Sequence, residues 1–291
     1  MSMNQTDNRE KETQNPVTLR GGLYIVATPI GNLRDITLRA LDILKSVDLI
    51  LCEDTRVTRK LLNAYQISAK VQLYNDHSQD NKRNSIIDLI EEGKSVALLS
   101  DAGMPLISDP GFKLVRDCQE HGIYVTSLPG ANAPLAALQL SAMPSDKFCF
   151  LGFMPAKSGA RQKLLAQWVD VKATLIAFET APRLISCLED IQSAIGDRPV
   201  AVIREITKLY EEVKKDSVDN LVQYYRENGA PRGEIVLVIS PAEDKEISEV
   251  DIKEMLREAL ETMKVKAAAN HVAKLTGAKK SDLYNMALEI K

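Results

Sequence analysis

The sequence is poor in the residues that build disulfide frameworks and metal sites. Its 291 residues include four cysteines and three histidines. The cysteines are widely separated and form no CxxC pair, which predicts reduced thiols in or near the core and a cytoplasmic protein. The histidines share no ligand spacing, so no metal site is predicted. These residues are Cys52, Cys118, Cys149, Cys187, His77, His121 and His271.

Long apolar runs and an excess of positive charge are also absent. No stretch reaches the roughly 18 apolar residues of a membrane-spanning helix, and no membrane association is expected. The polar residues 1–20 predict a disordered tail rather than a signal peptide or an anchor. The net charge is −3, so contact with a nucleic acid would need a local basic patch.

Three common fingerprints of nucleotide-binding proteins and hydrolases are missing. TPIGNL, after the first predicted strand, does not match GxGxxG, and the chain contains neither GxxxxGK(S/T) nor GxSxG. A standard dinucleotide fold, a P-loop NTPase and a serine hydrolase are therefore not supported.

What is present is a regular alternation of short apolar runs and amphipathic segments. In residues 21–142 this pattern predicts an N-terminal α/β domain with a mainly parallel sheet covered on both faces. Predicted strands lie at 23–28, 48–52, 71–74, 95–100 and 123–128, and predicted helices at 37–47, 55–65, 85–93, 110–122 and 131–141.

After MPSDK the pattern becomes mixed, and residues 143–240 predict a second α/β domain with hairpin-like spacing near Lys208–Glu212. A charged linker is expected at 241–248. Residues 249–291 predict a helical domain with helix–turn–helix spacing around TGA. From Lys264 onward this segment is basic, and we expect it to face RNA; packing against the body or across a dimer is the alternative.

Polar or Gly/Pro-rich loops follow several of the predicted strands. Because the carboxyl ends of parallel strands meet at one edge of a sheet, these loops are expected to converge on a ligand. The loops are TPIGNLRD, EDTR, SDAGMPLISDPG, LPGANA, FETAPR and PRGE.

Each loop also has an ordinary structural interpretation. Asp35 and Thr37 are candidate caps of the helix at 37–47. Asp109, before Pro110, is a candidate N-cap of the helix it precedes. Glu53–Arg56 can be a capped helix start with a surface ion pair.

Eight motifs, in order and spacing, resemble the tetrapyrrole methylase superfamily and, within it, the branch that methylates small-subunit ribosomal RNA. Any single motif would be a weak signal, but together they are specific. They are GGLYIVATPIGNLRDITLRAL, LCEDTR, LLSDAGMPLISDPG, SLPGANA, MPSDKFCFLGFMPAKS, FETAPR, REITKLYEE and PRGEIVLVI. The tail resembles the small helical domain of that branch.

The resemblance implies two α/β domains of the tetrapyrrole methylase type with S-adenosylmethionine in the cleft between them, plus a C-terminal helical domain. It implies methylation of the ribose 2′-hydroxyl of a cytidine in the decoding region of 16S ribosomal RNA, by a homodimer. The assembled small subunit is the expected substrate. The implied cofactor contacts are Pro29, Gly31, Asp101, Ala102, Gly103, Met104, Ile107, Gly130, Ala131, Phe178, Glu179 and Gly233.

Two positions depart from the family pattern. Met104 stands where the family usually has threonine, so a hydroxyl contact there is lost. Ala131-Asn132 replaces a segment in which the family commonly has proline, which alters the rigidity of that loop.

A ribose hydroxyl is a weak nucleophile, so a base or a hydrogen-bond acceptor is expected near it. The acidic candidates at the predicted edge are Asp101, Asp54, Glu53 and Glu205. Orientation of the cofactor is the favoured role for Asp101, and pairing with Arg204 or Lys208 is the alternative for Glu205.

RNA requires cations, and several lie on or beside the predicted loops and in the tail. The candidates are Arg34, Arg56, Arg59, Lys60, Arg161, Arg183, Lys264, Lys279 and Lys280. Two other hypotheses stay open: a methylase of the same superfamily acting on a small molecule or a protein, and a non-catalytic ribosome assembly factor.

Overall fold

The structure is a computed structural model that describes residues 18–75, 80–242 and 249–290. Most of the expected N-terminal tail, and residues 243–248 of the expected linker, lie outside the described residues. The described residues from Glu249 onward belong to a compact unit of their own. None of the helices in the described ranges is long and apolar enough to cross a membrane.

The first sheet has five strands in the order β3-β2-β4-β1-β5, and all of its pairings are parallel, as predicted. Its strands are β1 (Gly22–Val26), β2 (Leu49–Cys52), β3 (Val71–Leu73), β4 (Ser95–Leu99) and β5 (Val125–Leu128). The helices between and after them are α1 (Leu38–Ser46), α2 (Thr55–Ala64), α3 (Asp80–Glu91), α4 (Phe112–Glu120) and α5 (Ala133–Ser141).

Helices cover this sheet on both faces. Val26 shares a buried cluster with Leu44 of α1 and Leu62 of α2. Leu23, on the opposite face of β1, packs with residues of α3 and α4 such as Leu114. Burial on both faces explains why the strands read as continuous apolar runs rather than as alternating patterns.

The second sheet is mixed, with the order β6-β7-β10-β8-β9. β6 and β7 pair in parallel, and the other pairs are antiparallel, including the β8–β9 hairpin. The strands are β6 (Phe148–Phe153), β7 (Thr174–Thr180), β8 (Pro199–Arg204), β9 (Glu212–Ser217) and β10 (Glu234–Ile239). Its other helices are α6 (Ser158–Ala166), α7 (Leu184–Ile195) and α8 (Val218–Asn228).

Helix α5 follows the last strand of the first sheet but packs on the second. Its Ala137 and Leu138 lie in one buried cluster with Ile176, Ile203 and Val236 of the second sheet. The opposite face of that sheet is buried under α6, α7 and α8. The shared core around α5 fixes the two sheets against each other.

The C-terminal unit contains α9 (Glu249–Thr262), α10 (Val265–Thr276) and α11 (Lys280–Ile290). Its core joins small residues such as Ala268 and Ala269 to Leu256 and Leu283. Gly277, with a φ of 73°, ends α10 in the left-handed region. The helix–turn–helix spacing read from the sequence is therefore confirmed.

Candidate functional site

One cavity of about 320 Å³ lies where the loops of the two sheets meet. Its volume is within the roughly 300–1,000 Å³ typical of small-molecule sites. The first sheet contributes the loops after β1, β4 and β5, and the second contributes the ends of β6 and β7 and the start of β10. The lining residues are Ile30, Asp101–Met104, Ile107–Asp109, Asn132–Pro134, Phe153, Phe178–Thr180 and Gly233–Val236.

The loop after β4 is anchored to the loop after β1. Thr28 and Gly103 exchange two backbone hydrogen bonds of 2.9 and 3.0 Å. The Ser100 hydroxyl also donates to the Gly103 carbonyl at 3.1 Å. Gly103 has a φ of 85°, and the non-glycine residues Leu106 and Ser108 follow at 71° and 68°. Such left-handed backbone in non-glycine residues is strained and concentrates at functional sites.

Asp109 does not cap the following helix, so that interpretation is wrong. Helix α4 begins at Phe112, and its N-cap residue is Gly111, which has no side-chain cap. Asp109 lines the cavity instead. Burial, aided by the nearby charges of Glu53 and Asp101, raises the pKa of Asp109 to about 6, against the opposing hydrogen bond from Ser100.

Asp101 also lines the cavity, which supports its place among the predicted cofactor contacts. Its Oδ1 accepts a hydrogen bond from the Asp54 backbone N–H at 3.1 Å. Burial, with repulsion from Asp54, raises the pKa of Asp101. Partial burial and the charges of Asp101 and Asp54 raise the pKa of Glu53 as well. Carboxylates that repel one another in this way favour a cationic ligand beside them.

Two of the four acidic candidates are engaged outside the cavity. Asp54 caps α2 through the Arg56 backbone N–H at 2.7 Å and pairs with the Arg56 guanidinium at 2.6 Å. These hydrogen bonds lower the pKa of Asp54 to about 2. Glu205 accepts bonds from the Glu234 backbone N–H and from Lys208 Nζ, both at 3.0 Å, which lower its pKa. Asp54 is therefore a helix cap with a surface ion pair, and Glu205 pairs with Lys208, as the ordinary structural interpretation of each had it.

Phe178 and Glu179 border the cavity in different ways. Side chains alternate between the faces of a strand, and Phe178 packs with the cluster around α5. The Glu179 carboxylate is fully buried and accepts from Arg183 Nε at 2.7 Å and Nη2 at 2.6 Å. It also lies near Cys187 of α7, whose pKa is raised by burial and by the Glu179 charge. Arg183 therefore neutralises the Glu179 charge.

Four of the predicted cofactor contacts do not line the cavity. A Cβ on Gly130 would lie 2.8 Å from Ala27 Cβ, and one on Gly31 would lie 2.5 Å from Lys208 Cγ. These glycines therefore allow the loops to pack closely around the cavity. Pro29 and Ala131 are sequence neighbours of the lining residues Ile30 and Asn132.

Several lining residues were not singled out from the sequence. Ser108 and Asp109 belonged to the conspicuous SDAGMPLISDPG stretch, which was a usable signal. Ile30, Asn132, Ala133, Thr180 and Glu234 likewise lie in the polar or Gly/Pro-rich loops that were expected to converge. Pro134, Phe153, Ile235 and Val236 carry no comparable signal, because apolar residues of helices and strands usually belong to a core.

The prediction that Arg161 contacts RNA is wrong. Its side chain is 3% exposed and pairs with Asp190 at 2.6 Å. Arg161 Nη1 also donates to the carbonyls of Pro155 and Ala156 at 3.1 Å. The guanidinium therefore connects α6, α7 and the loop after β6 and is not available to RNA.

The other cationic candidates fall into two groups. Arg183 is half-buried against Glu179. The remaining ones are exposed, and Arg56 among them forms the surface pair with Asp54. The exposed group consists of Arg34, Arg56, Arg59, Lys60, Lys264, Lys279 and Lys280.

None of the residues that line the cavity is a cysteine or a histidine. All four cysteines are free thiols, and Cys52, Cys118 and Cys187 are buried. Across the described part of the chain, no cluster of three or more His, Cys, Asp or Glu side chains has the arrangement of a metal site.

Comparison with known proteins assigns the family. The model of the Tetrapyrrole (Corrin/Porphyrin) Methylases matches residues 22–222. The chain belongs to the tetrapyrrole methylase family. A second model, described as the RsmI C-terminal HTH domain, matches residues 246–291 of this methylase.

Relatives of this methylase are named Ribosomal RNA small subunit methyltransferase I. The one from Mesorhizobium japonicum is 45% identical over 94% of this chain and 93% of its own length. The one from Escherichia coli O157:H7 is 42% identical over 96% of this chain and 99% of its own length. The similarity therefore includes the C-terminal helical unit.

Solved structures of other tetrapyrrole methylases share the fold. A cobalt precorrin-4 methyltransferase covers 75% of this chain and 94% of its own, with a TM-score of 0.54 and 19% identity. The uroporphyrin-III-C-methyltransferase of Thermus thermophilus covers 76% and 94%, with a TM-score of 0.53 and 19% identity. These matches extend over about the length of the two-sheet unit.

Proposed function

We propose that this methylase transfers a methyl group from S-adenosylmethionine to the ribose 2′-hydroxyl of a cytidine in the decoding region of small-subunit ribosomal RNA. One observation carries the proposal: near full-length similarity to proteins named for small-subunit ribosomal RNA methylation, including the C-terminal domain. The solved structures that share the fold cover about three quarters of this chain, at 19% identity.

The residues of the cavity fit this methyl donor. S-adenosylmethionine supplies a methyl group that its positively charged sulfur already activates. The carboxylates of Asp101 and Asp109 favour a cation, and the apolar side chains of Ile30, Phe178 and Val236 favour a thioether and a heterocycle. The open backbone at Gly103 allows close approach of a ligand.

Within this proposal, the chain accelerates the reaction mainly by positioning. The two loops joined at Thr28 and Gly103, together with the strand ends of the second sheet, hold both reactants in line, an effect worth up to about 7–11 kcal/mol in favourable cases. The Asp54 N–H donates to Asp101 Oδ1 and so fixes the direction of this carboxylate. The fixed carboxylate then orients the donor. Glu53 lies beside the same cluster and is the remaining acidic candidate for accepting the hydroxyl proton.

The proposal extends to the assembled small subunit as substrate, to a homodimer and to action in the cytoplasm.

The exposed cations of the first α/β domain and of the tail would bind the phosphates of the RNA. Arg34 lies between β1 and α1, and Arg59 and Lys60 lie in α2, which follows β2. Lys264, Lys279 and Lys280 would supply a second basic surface.

Mass spectrometry of ribosomal RNA from cells with and without this protein tests the function. We expect one 2′-O-methylcytidine of the decoding region to be lost with the protein and restored by it. Incorporation of tritiated methyl into intact small subunits, compared with free RNA oligomers, tests the assembled subunit as substrate. Donor binding without any transfer to RNA would indicate a different acceptor, and no binding at all would indicate an assembly factor.

A further inference from the structure

Strand β6 carries an irregularity next to the cavity. Phe150 pairs with Ile176 on β7, but the next pair is Phe153 with Phe178. Three residues of β6 therefore advance against two of β7, which defines a bulge. Gly152, with a φ of 71°, takes up the left-handed conformation that the bulge requires.

The bulge changes the face on which Phe153 lies. Cys149 and Leu151 pack on the side covered by α6 and α7, whereas Phe150 packs on the side of α5 and the cavity. Strict alternation would put Phe153 on the same side as Leu151. With one extra residue, Phe153 joins Phe178 on the cavity side instead. Bulges next to active sites commonly re-aim a side chain in this way.

Phe153 ends a row of three aromatic rings. The Phe178 ring lies 5.0 Å from the Phe150 ring and 5.1 Å from the Phe153 ring, between centroids. Phe153 is 58% exposed, although it lines the cavity. Its ring is thus held by Phe178 and still open to solvent where the cavity meets the surface. A large exposed apolar ring at the edge of a cavity is available to stack on a planar group.

We propose that the Phe153 ring stacks on the nucleobase of the acceptor nucleotide. This inference rests on the proposed function, because the ribose that receives the methyl group must reach the cavity and its own base then lies at the opening. The cavity interior is left to the methyl donor. Aromatic side chains are the usual platforms for unstacked bases of single-stranded RNA.

Kinetics of the full-length protein on unmethylated small ribosomal subunits test the stacking. Phe153→Leu keeps an apolar side chain but removes the ring, and we expect its KM for subunits to rise about tenfold or more. Phe153→Trp should keep KM near the wild-type value. Phe148→Leu, on the same strand but outside the cavity lining, is the matched control and should leave KM unchanged.

Two further measurements are made on the same variants. Calorimetry should give an unchanged affinity of Phe153→Leu for S-adenosylmethionine, and sedimentation should give an unchanged oligomeric state. A loss of donor affinity equal to the rise in KM would mean that the ring stacks on the donor's adenine, and a change of oligomeric state would make Phe153 a subunit contact. Either result overturns the proposal, as does a KM equal to that of Phe148→Leu. If the wild type itself methylates no subunits, the proposed function fails instead.

Discussion

Thr28 and Gly103 form an isolated two-residue bridge between the loops that follow β1 and β4. Both bonds of the pair are made by the backbone, and the Thr28 hydroxyl adds a contact to the Ser100 carbonyl at 3.2 Å. The bridge joins the loop after β4, which contains Asp101 and Asp109, to the loop after β1. Gly103 holds a left-handed conformation there and lines the cavity, so a side chain at this position would change the cavity wall.

Gly103→Ala should therefore damage both the fold and the cavity. The left-handed backbone should cost about 1–2 kcal/mol of folding stability. The new Cβ would also lie 3.3 Å from Ile30 Cγ2, at the cavity wall. We expect affinity for S-adenosylmethionine, measured by calorimetry, to fall by about tenfold, which corresponds to about 1.4 kcal/mol.

Gly93→Ala separates the two effects of that substitution. Gly93 has a φ of 92°, and a Cβ there would meet no atom within 4 Å. The Gly93→Ala variant should lose about as much folding stability as Gly103→Ala and keep the wild-type affinity for the donor. Equal donor affinities for the two alanine variants would show that Gly103 does not shape the binding site.

Asp101→Ala should lose donor affinity as well as rate. The substitution removes a carboxylate from the cavity wall and the acceptor of the Asp54 N–H. Asp101→Asn keeps an acceptor oxygen without the charge and should bind with intermediate affinity. Calorimetry with S-adenosylmethionine measures the difference, and Asp146→Asn, an exposed position outside the lining, is the control. Unchanged binding by Asp101→Ala would rule out the orienting role.

Donor binding should weaken as the pH falls through about 6. The pKa of Asp109 is about 6 in the folded protein, against 3.8 for an ordinary aspartate. Above that pH the group is charged and favours a cation, and below it this attraction is lost. Calorimetry between pH 5 and pH 8 on wild type and Asp109→Asn should show that the variant loses this pH dependence.

The raised pKa of Asp109 also affects folding stability, and there the charged form of the carboxyl is unfavourable. The folded protein binds the Asp109 proton more tightly than the unfolded chain, so this group destabilises the fold above about pH 6 and the effect disappears as the pH falls toward 4. Asp109→Asn should therefore raise the Tm at pH 7.5 more than at pH 5. A gain in Tm that is the same at both values would place the effect elsewhere.

Arg161→Ala should act on stability rather than on RNA. It leaves the buried Asp190 carboxylate without its cation, which typically costs about 3–5 kcal/mol. Arg56→Ala breaks a pair whose arginine side chain is 87% exposed, and it should cost far less because solvent screens the pair. Denaturant unfolding measures both. The double variant Arg161→Met, Asp190→Leu should recover much of the loss, and its failure to do so would point to the carbonyl contacts of Arg161.

Lys279→Gln with Lys280→Gln should weaken binding to small subunits in a salt-dependent way. If both side chains contact phosphates, the slope of log affinity against log salt should become shallower by about 1.4–1.8. Lys45→Gln with Lys70→Gln removes the same charge from exposed positions away from the loops of the cavity. If both double variants show the same slope, the tail lysines do not bind RNA.

Sequence alone was sufficient wherever the signal was local. Apolar runs of strand length and glycine stops located the elements of the first sheet, because periodicity and turn chemistry act over a few residues. The Thr37 hydroxyl does cap α1, because it accepts a hydrogen bond from the Ala40 N–H at 3.1 Å. The converging loops also followed from the sequence, since parallel strands place their carboxyl ends at one edge.

Tertiary structure decided whatever depends on contacts between distant parts of the chain. Periodicity does not say which sheet a helix covers, and α5 packs on the second one. Asp109 looked like a helix cap, yet the N-cap residue of α4 is Gly111, and Asp109 lines the cavity. Arg161 looked like a surface cation until Asp190, 29 residues away, was found to pair with it.

Phe153 shows the same limit most clearly. Its segment FCFLGF predicts an ordinary apolar strand, and one extra residue in the pairing with β7 turns the ring toward the cavity. Hydrophobic pattern and propensity determined the elements of this protein because they are set by neighbours along the chain. Burial, charge pairing and strand register determined the cavity between its two sheets, because each depends on residues that only the folded chain brings together.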